Sequence, residues 1–160
     1  MSANLNDNFL SEEEEKRYEE LAKMAFDYAR HDECENLEMM IKAGLSVNLK
    51  THKGDTLLML AAYNNSLNTA KMLLEKGAKV DEKNDRGQTP LAGVCFKGHL
   101  KMCELLVKYG ANIDENNGLG MTPYTFAVMF GRKEVALFLL KHSKKSLLKR
   151  LGLWALRIFK

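Results

Sequence analysis

Apolar positions return along this chain in adjacent pairs. Met40-Ile41, Leu73-Leu74, Leu106-Val107 and Leu139-Leu140 stand 33 residues apart, each pair set in a stretch with the spacing of a one-sided amphipathic helix. Glycines keep the same step: Gly44, Gly77 and Gly110 follow the pairs, with Ser143 at the next beat, and so predict where each helix stops. Ahead of each helix stands a second, slimmer one. Thr56, Thr89 and Thr122 are N-cap residues, and Pro90 and Pro123 fit a first turn that tolerates a missing N–H. Ala61-Ala62, Val94-Cys95 and Ala127-Val128 keep this helix thin enough for copies to stack closely. One such unit is too small to bury its apolar face, whereas stacked units share a continuous core.

The ends differ from the middle. One step back from the second copy lies a degenerate one, with Leu37, Met40, Ile41 and Gly44 in their slots but no Thr-Pro. Its first helix is predicted to begin early, at a capping box of Ser11 and Glu14, and to carry an apolar stripe of Tyr18, Leu21, Ala22, Ala25, Phe26 and Ala29. The acidic run from Glu12 to Glu20 is its solvated side. At the other end, positions 147, 148, 151, 154, 155, 158 and 159 are apolar at helical spacing, with Lys149, Arg150 and Arg157 elsewhere on the wheel. Gly152 weakens this helix. The expected organisation is one domain: an N-terminal cap with a degenerate repeat (11–50), repeats at 51–83, 84–116 and 117–143, and a basic C-terminal cap helix (144–160).

The stretch "DRGQTPLAGVCFKGHLKMCELLVKYGANID" resembles a repeat of the ankyrin family. The stretches "HKGDTLLMLAAYNNSLNTAKMLLEKGAKVD" and "GLGMTPYTFAVMFGRKEVALFLLKHS" are close variants, and the resemblance covers about Leu21 to His142. It implies an all-α solenoid of helix-turn-helix repeats joined by β-hairpin loops, with helical caps. It also implies a protein partner bound on the hairpin tips and the inner helices. Carried over by position, the tips are His52, Lys53 and Asp55, then Asp85, Arg86 and Gln88, then Gly118, Leu119 and Met121. The helix ends are Tyr63-Asn64, Phe96-Lys97 and Met129-Phe130. A ladder of Tyr63, Phe96 and Met129 is expected down the groove, with Leu119 and Met121 beside its far end. Two readings stay open for these side chains: a binding surface, or packing against the adjoining loops. The chain is also similar to short bacterial ankyrin proteins, some of which accompany catalases and assist their haem supply. That similarity implies an alternative in which Tyr63 ligates haem iron and His52 is a second contact.

Composition narrows the classes. The 160 residues are 46% hydrophobic and 28% charged, as in an ordinary globular domain. Three cysteines, Cys34, Cys95 and Cys103, suit a reducing compartment better than a disulfide scaffold. The net charge of +3 conceals a polarity. Residues 1–20 hold seven acids against two bases, and residues 141–160 hold seven bases and no acid. Confined to one tail, the basic charge argues against nucleic acid. A basic amphipathic tail leaves peripheral membrane attachment as an alternative to capping. With no signal-peptide pattern and no apolar run of about 20 residues, a soluble cytoplasmic protein is expected, here a monomer. Catalytic chemistry is not signalled. His31, His52 and His142 have no metal-ligand spacing, and His99 occupies a Gly-His slot expected to serve backbone hydrogen bonding. Cys95 and Cys103 are expected to pack, and Gly118 and Gly120 to shape a hairpin. The protein is therefore read as a non-catalytic interaction module without cofactor or metal.

Overall fold

The structure, a computed structural model, describes residues 11–143. They form α1 (Glu12–Arg30), α2 (Cys34–Lys42), α3 (Leu57–Tyr63), α4 (Leu67–Glu75), α5 (Pro90–Lys97), α6 (Leu100–Lys108), α7 (Pro123–Met129) and α8 (Lys133–His142). Consecutive helices pair as antiparallel hairpins, and the pairs stack: α1, α3, α5 and α7 make the inner row, α2, α4, α6 and α8 the outer. Among the described residues the only β pairing is one bridge, Lys50 to Thr56, at the base of a hairpin loop. The architecture is the all-α repeat solenoid that the periodicity predicts. The predicted C-terminal cap helix lies outside the described residues.

Helices of seven to nine residues are too short to persist alone in water, so capping and packing must hold them. Thr56, Thr89 and Thr122 each accept the N–H three residues on, a cap that contributes about 1 kcal/mol apiece. At the outer-helix ends, Gly77 and Gly110 lie at φ 86° and 90°, just past the C-caps Lys76 and Tyr109. There Ala78 N–H bonds Leu73 O and Ala111 N–H bonds Leu106 O, which closes the helix. Between the rows runs the core: Leu37, Leu57, Leu58, Leu73, Leu91, Val94, Met102, Leu106 and Leu139 are buried, and each large side chain removed from water stabilises by about 2 kcal/mol.

α1 departs from the predicted stripe. Ala25 and Ala29 are buried, but Tyr18 and Leu21 are exposed. The other inner helices have seven or eight residues and α1 has 19, so its first half has no described inner helix beside it to bury those side chains. The capping box of Ser11 and Glu14 is formed, and its hydrogen bonds hold the Glu14 carboxyl below the usual range.

Repeats are also joined by side chains reaching across. The last carbonyls of the inner helices have no partner within their own helix. Those of Arg30, Tyr63 and Phe96, 33 apart, accept from Ser66 Oγ (2.9 Å), His99 Nε2 (3.2 Å) and Arg132 Nε (2.9 Å). Each donor opens the outer helix of the following repeat. His99 thus has the backbone role expected of its slot, and it must carry its proton on Nε2, since a carbonyl only accepts. At Gly98 a Cβ would stand 2.7 Å from Arg132 Cδ, so this glycine leaves room for the third rung.

Candidate binding cleft

The inner helices and hairpins enclose a cleft of about 630 Å³ over the middle of the stack. Its floor is apolar: Met59, Leu60 and Tyr63 from α3, Ala92, Gly93 and Phe96 from α5, and Phe126 from α7. Its rim is polar, with Lys53 and Asp55 from one hairpin and Asn84, Asp85, Arg86 and Gln88 from the next. The repeat explains why a hollow forms there. Leu60, Gly93 and Phe126 occupy one slot, as do Met59, Ala92 and Thr125. The central repeat therefore carries Ala92 and Gly93 where its neighbours carry Met59 and Leu60 on one side and Thr125 and Phe126 on the other. A Cβ on Gly93 would lie 3.3 Å from Tyr63 Cδ2, so the ring rests where a side chain would otherwise stand.

Aromatic rings line one end. Tyr63 and Phe96 stack nearly parallel, 10° apart with centroids at 6.3 Å. Lys97 Nζ lies 5.0 Å above the Tyr63 ring, a contact worth about 0.5–1 kcal/mol at an exposed site. Phe130 meets Phe96 edge-on at 4.4 Å and 70°. Lys97 and Phe130 are equivalent positions, so each ring is covered by the residue that ends the next inner helix. Tyr63 nevertheless remains 43% exposed. Beneath it, burial and the charges of Lys97 and Arg132 push the His99 imidazole below its ordinary value, against the opposing pull of its bond to Tyr63 O.

The expected site residues divide. Lys53, Tyr63, Arg86, Gln88 and Phe96 come together in the cleft. Asn64, Lys97, Met121, Met129, Phe130 and Leu119 do not line it, and neither does His52. Asn64 is turned back, its Nδ2 donating to Leu60 O. Met129 holds the ladder position by count, yet it is exposed and Phe130 makes the ring contact. The two haem-contact candidates, Tyr63 and His52, are not joined in one pocket. Asp55 and Asp85 join the rim from the expected hairpin tips, whereas Met59, Leu60, Asn84, Ala92, Gly93 and Phe126 complete the cleft without having been singled out; the small Ala92-Gly93 pair one period after Met59-Leu60 was the available signal.

The third hairpin accounts for Leu119 and Met121. Thr51 Oγ1 accepts the N–H groups of Lys53 (3.3 Å) and Asp55 (3.2 Å), and Asn84 Oδ1 those of Arg86 (3.1 Å) and Gln88 (3.0 Å). The step of 33 assigns the same task to Asn117. Instead Asn116 Oδ1 does it, accepting from Gly118 (3.0 Å) and Gly120 (3.1 Å). The side-chain acceptor has slipped by one residue, although the backbone bond that closes the hairpin, Asn117 N–H to Met121 O, keeps the register of Asn84 N–H to Gln88 O. Asn117 is thereby freed to fold inward, where its Oδ1 accepts from Thr89 N–H (2.8 Å) and Thr89 Oγ1 (3.0 Å). Leu119 is left fully exposed at φ 50°.

Cys95 and Cys103 are free and buried, as packing requires. A hydrogen bond to Cys103 and burial push the Cys95 thiol far up. Among the described residues no group of three or more His, Cys, Asp or Glu is placed to hold a metal ion, and no helix is long and apolar enough to cross a membrane.

Stacked helix pairs and left-handed glycines after the outer helices together define a solenoid of helix-turn-helix repeats with a cleft on its inner row. The chain belongs to the ankyrin-repeat family: a family description of ankyrin repeats in three copies matches it over residues 8–84 and again over 77–149. It is also similar to a Pseudomonas aeruginosa protein named for ankyrin repeats, 42% identical over 53 residues. That match takes in 33% of this chain and 31% of the relative, so the chain spans about a third of the relative's length. Members of the family are generally protein–protein interaction modules and are typically not enzymes.

Proposed function

We propose that this protein binds an extended segment of another protein in the cleft between α3, α5 and α7. A large apolar side chain of that segment enters the hollow over Gly93, beside Tyr63 and Phe96, while acidic residues meet Lys53 and Arg86. In this reading the protein is a non-catalytic cytoplasmic monomer. The observation that carries it is the small Ala92-Gly93 pair set between Leu60 and Phe126, which leaves an open apolar floor in the middle of the stack. Charge supports it. Among the described residues no carboxylate pairs with Lys53 or Arg86, although seven other ion pairs form. Exposed aromatics beside apolar floor are also what interface cores use.

The test is affinity capture from lysate with mass spectrometry, repeated on variants. Tyr63→Ala and Phe96→Ala remove the ring wall, Gly93→Leu fills the hollow with the side chain of the preceding repeat, and Lys101→Ala changes exposed α6 as a control. A partner retained by the control and lost, by tenfold or more, from the three cleft variants supports the reading. A partner kept by both Tyr63→Ala and Phe96→Ala sinks it.

A further inference from the structure

The third hairpin holds the one Asn-Gly step of the chain, Asn117-Gly118; the same two slots hold Thr51-His52 and Asn84-Asp85 in the earlier hairpins. An asparagine before glycine is chemically labile, because glycine has no Cβ to crowd the approach of its nitrogen to the preceding side chain. The Gly118 nitrogen attacks Asn117 Cγ, and the new C–N bond closes a five-membered succinimide. Asn117 Nδ2 leaves as ammonia, taking up through solvent the proton that Gly118 gives away. Water then opens the ring at either carbonyl. One opening leaves an aspartate; the other diverts the main chain through Cβ and Cγ and leaves an isoaspartate. Water is the only co-reactant, and nothing is oxidised or reduced.

In the folded protein the atoms of that ring closure are held by other bonds. Gly118 N–H donates to Asn116 Oδ1 at 3.0 Å. Asn117 Nδ2, the leaving nitrogen, donates to Glu115 O at 3.0 Å, while Oδ1 accepts from Thr89 N–H at 2.8 Å and Thr89 Oγ1 at 3.0 Å. Asn117 N–H closes the hairpin on Met121 O at 2.7 Å, and the residue is 5% exposed. Two donors on Oδ1 polarise its carbonyl, which by itself favours attack. They also fix the amide, and Gly118 must give up its bond to Asn116 before its nitrogen can close on Cγ. Holding therefore outweighs activation, and the reaction runs through a locally opened hairpin.

Conversion would not be neutral for the neighbouring repeat. Thr89 caps α5 and lines the cleft beside Pro90, Ala92 and Gly93. An isoaspartate carries its carboxylate directly on Cα, while its main chain is one bond longer. Both the reach to Thr89 and the hairpin register are then lost, and the buried Thr89 N–H and hydroxyl have no acceptor.

We propose that Asn117-Gly118 is a deamidation site that the folded third hairpin keeps shut, and that isoaspartate at 117 prevents the hairpin from reclosing on α5. The full-length protein is aged in mildly alkaline buffer, native and in urea, then digested for mass spectrometry, with isoaspartate counted by enzymatic methylation. Asn117→Gln assigns the signal to this residue, and Asn116→Ala frees Gly118 N–H without touching the contact with Thr89. The expected result is conversion at 117 at least about tenfold faster in urea than in the native protein. Native Asn116→Ala converts faster than the native natural protein, and Asn117→Gln yields no isoaspartate in this peptide. After refolding, the isoaspartate form, separated by anion exchange, unfolds at lower urea than the unaged protein; Asn117→Asp, which keeps the chain length, loses less. Equal rates in native and unfolded protein overturn the proposal, as does conversion chiefly at another asparagine. So does an Asn116→Ala variant as slow as the natural protein, or an isoaspartate form that keeps the natural urea midpoint.

Discussion

The ring of Phe130 stands edge-on to that of Phe96 although the residue one period beyond Phe96 is Met129. Both occur at the end of α7, where Phe130 is the C-cap and its ring reaches back to the preceding repeat. Lys97 does the same to Tyr63. The wall of the cleft is therefore built by two interleaved positions rather than by one ladder. An edge-to-face pair contributes about 0.5–1.5 kcal/mol beyond its buried area. Phe130→Ala is expected to lower unfolding free energy by about 1–2 kcal/mol in urea titration, and Met129→Ala, an exposed change, by no more than about 0.5 kcal/mol. Equal losses from the two variants would contradict the interleaved wall.

Asn117 gives the second prediction. Its amide oxygen satisfies both the buried N–H and the hydroxyl of Thr89, the N-cap of α5. Asn117→Ala leaves those donors without a partner away from water, which costs about 2–3 kcal/mol. Asn116→Ala removes only the exposed turn bonds of Gly118 and Gly120 and is expected to cost under about 1 kcal/mol. Thermal or urea unfolding of the two variants checks the order. The reverse order would mean that the side-chain acceptor had not slipped.

That slip also shows where a periodic reading ends. The helices, the threonine caps, the glycines that close the outer row and the role of His99 were legible because each depends on local chemistry repeated at a fixed interval. Residues 116–118 offer two neighbouring asparagines able to make the same turn, and the choice between them rests on a buried contact with Thr89 that no local pattern encodes. Met129 and Phe130 pose the same difficulty, since two adjacent apolar residues at a helix end are told apart only by which of them meets the preceding repeat. Tyr18 and Leu21 looked like core because their spacing is that of core. What they lack among the described residues is a neighbouring helix, and periodicity within one helix says nothing about that. The cleft itself was half legible: its rings and rim cations could be placed by position, but its floor comes from Gly93, a residue notable for what it leaves out.

His99 makes stability depend on pH. Its imidazole titrates below the ordinary value of 6.5 in the folded protein, chiefly through burial. The unfolded chain therefore binds the proton first as the solution is acidified. Stability from this residue is present above about pH 6.5 and declines as pH falls from there through the depressed folded value. His99→Gln keeps a donor for Tyr63 O and removes the titration. Urea midpoints measured from pH 8 to pH 5 are expected to fall more steeply for the natural protein than for the variant. His99→Ala, which leaves the Tyr63 carbonyl without its bond, is expected to cost about 1–2 kcal/mol at pH 8 as well. Parallel pH profiles for the natural protein and His99→Gln would show that the imidazole does not titrate differently on folding.

Leu119 carries the last prediction. A leucine at φ 50° has its Cβ close to the following carbonyl oxygen, a strain of about 1 kcal/mol that asparagine tolerates better and glycine avoids. Its side chain is wholly exposed and gains no burial to offset that strain. Leu119→Asn should therefore raise unfolding free energy by about 0.5–1 kcal/mol without altering the fold. Leu119→Gly should gain less, because glycine also makes the unfolded chain more flexible. Denaturant titration of both variants checks the order. If Leu119→Asn instead destabilises the protein, the leucine must be held by a contact in the folded chain, and its full exposure would not describe the protein in solution.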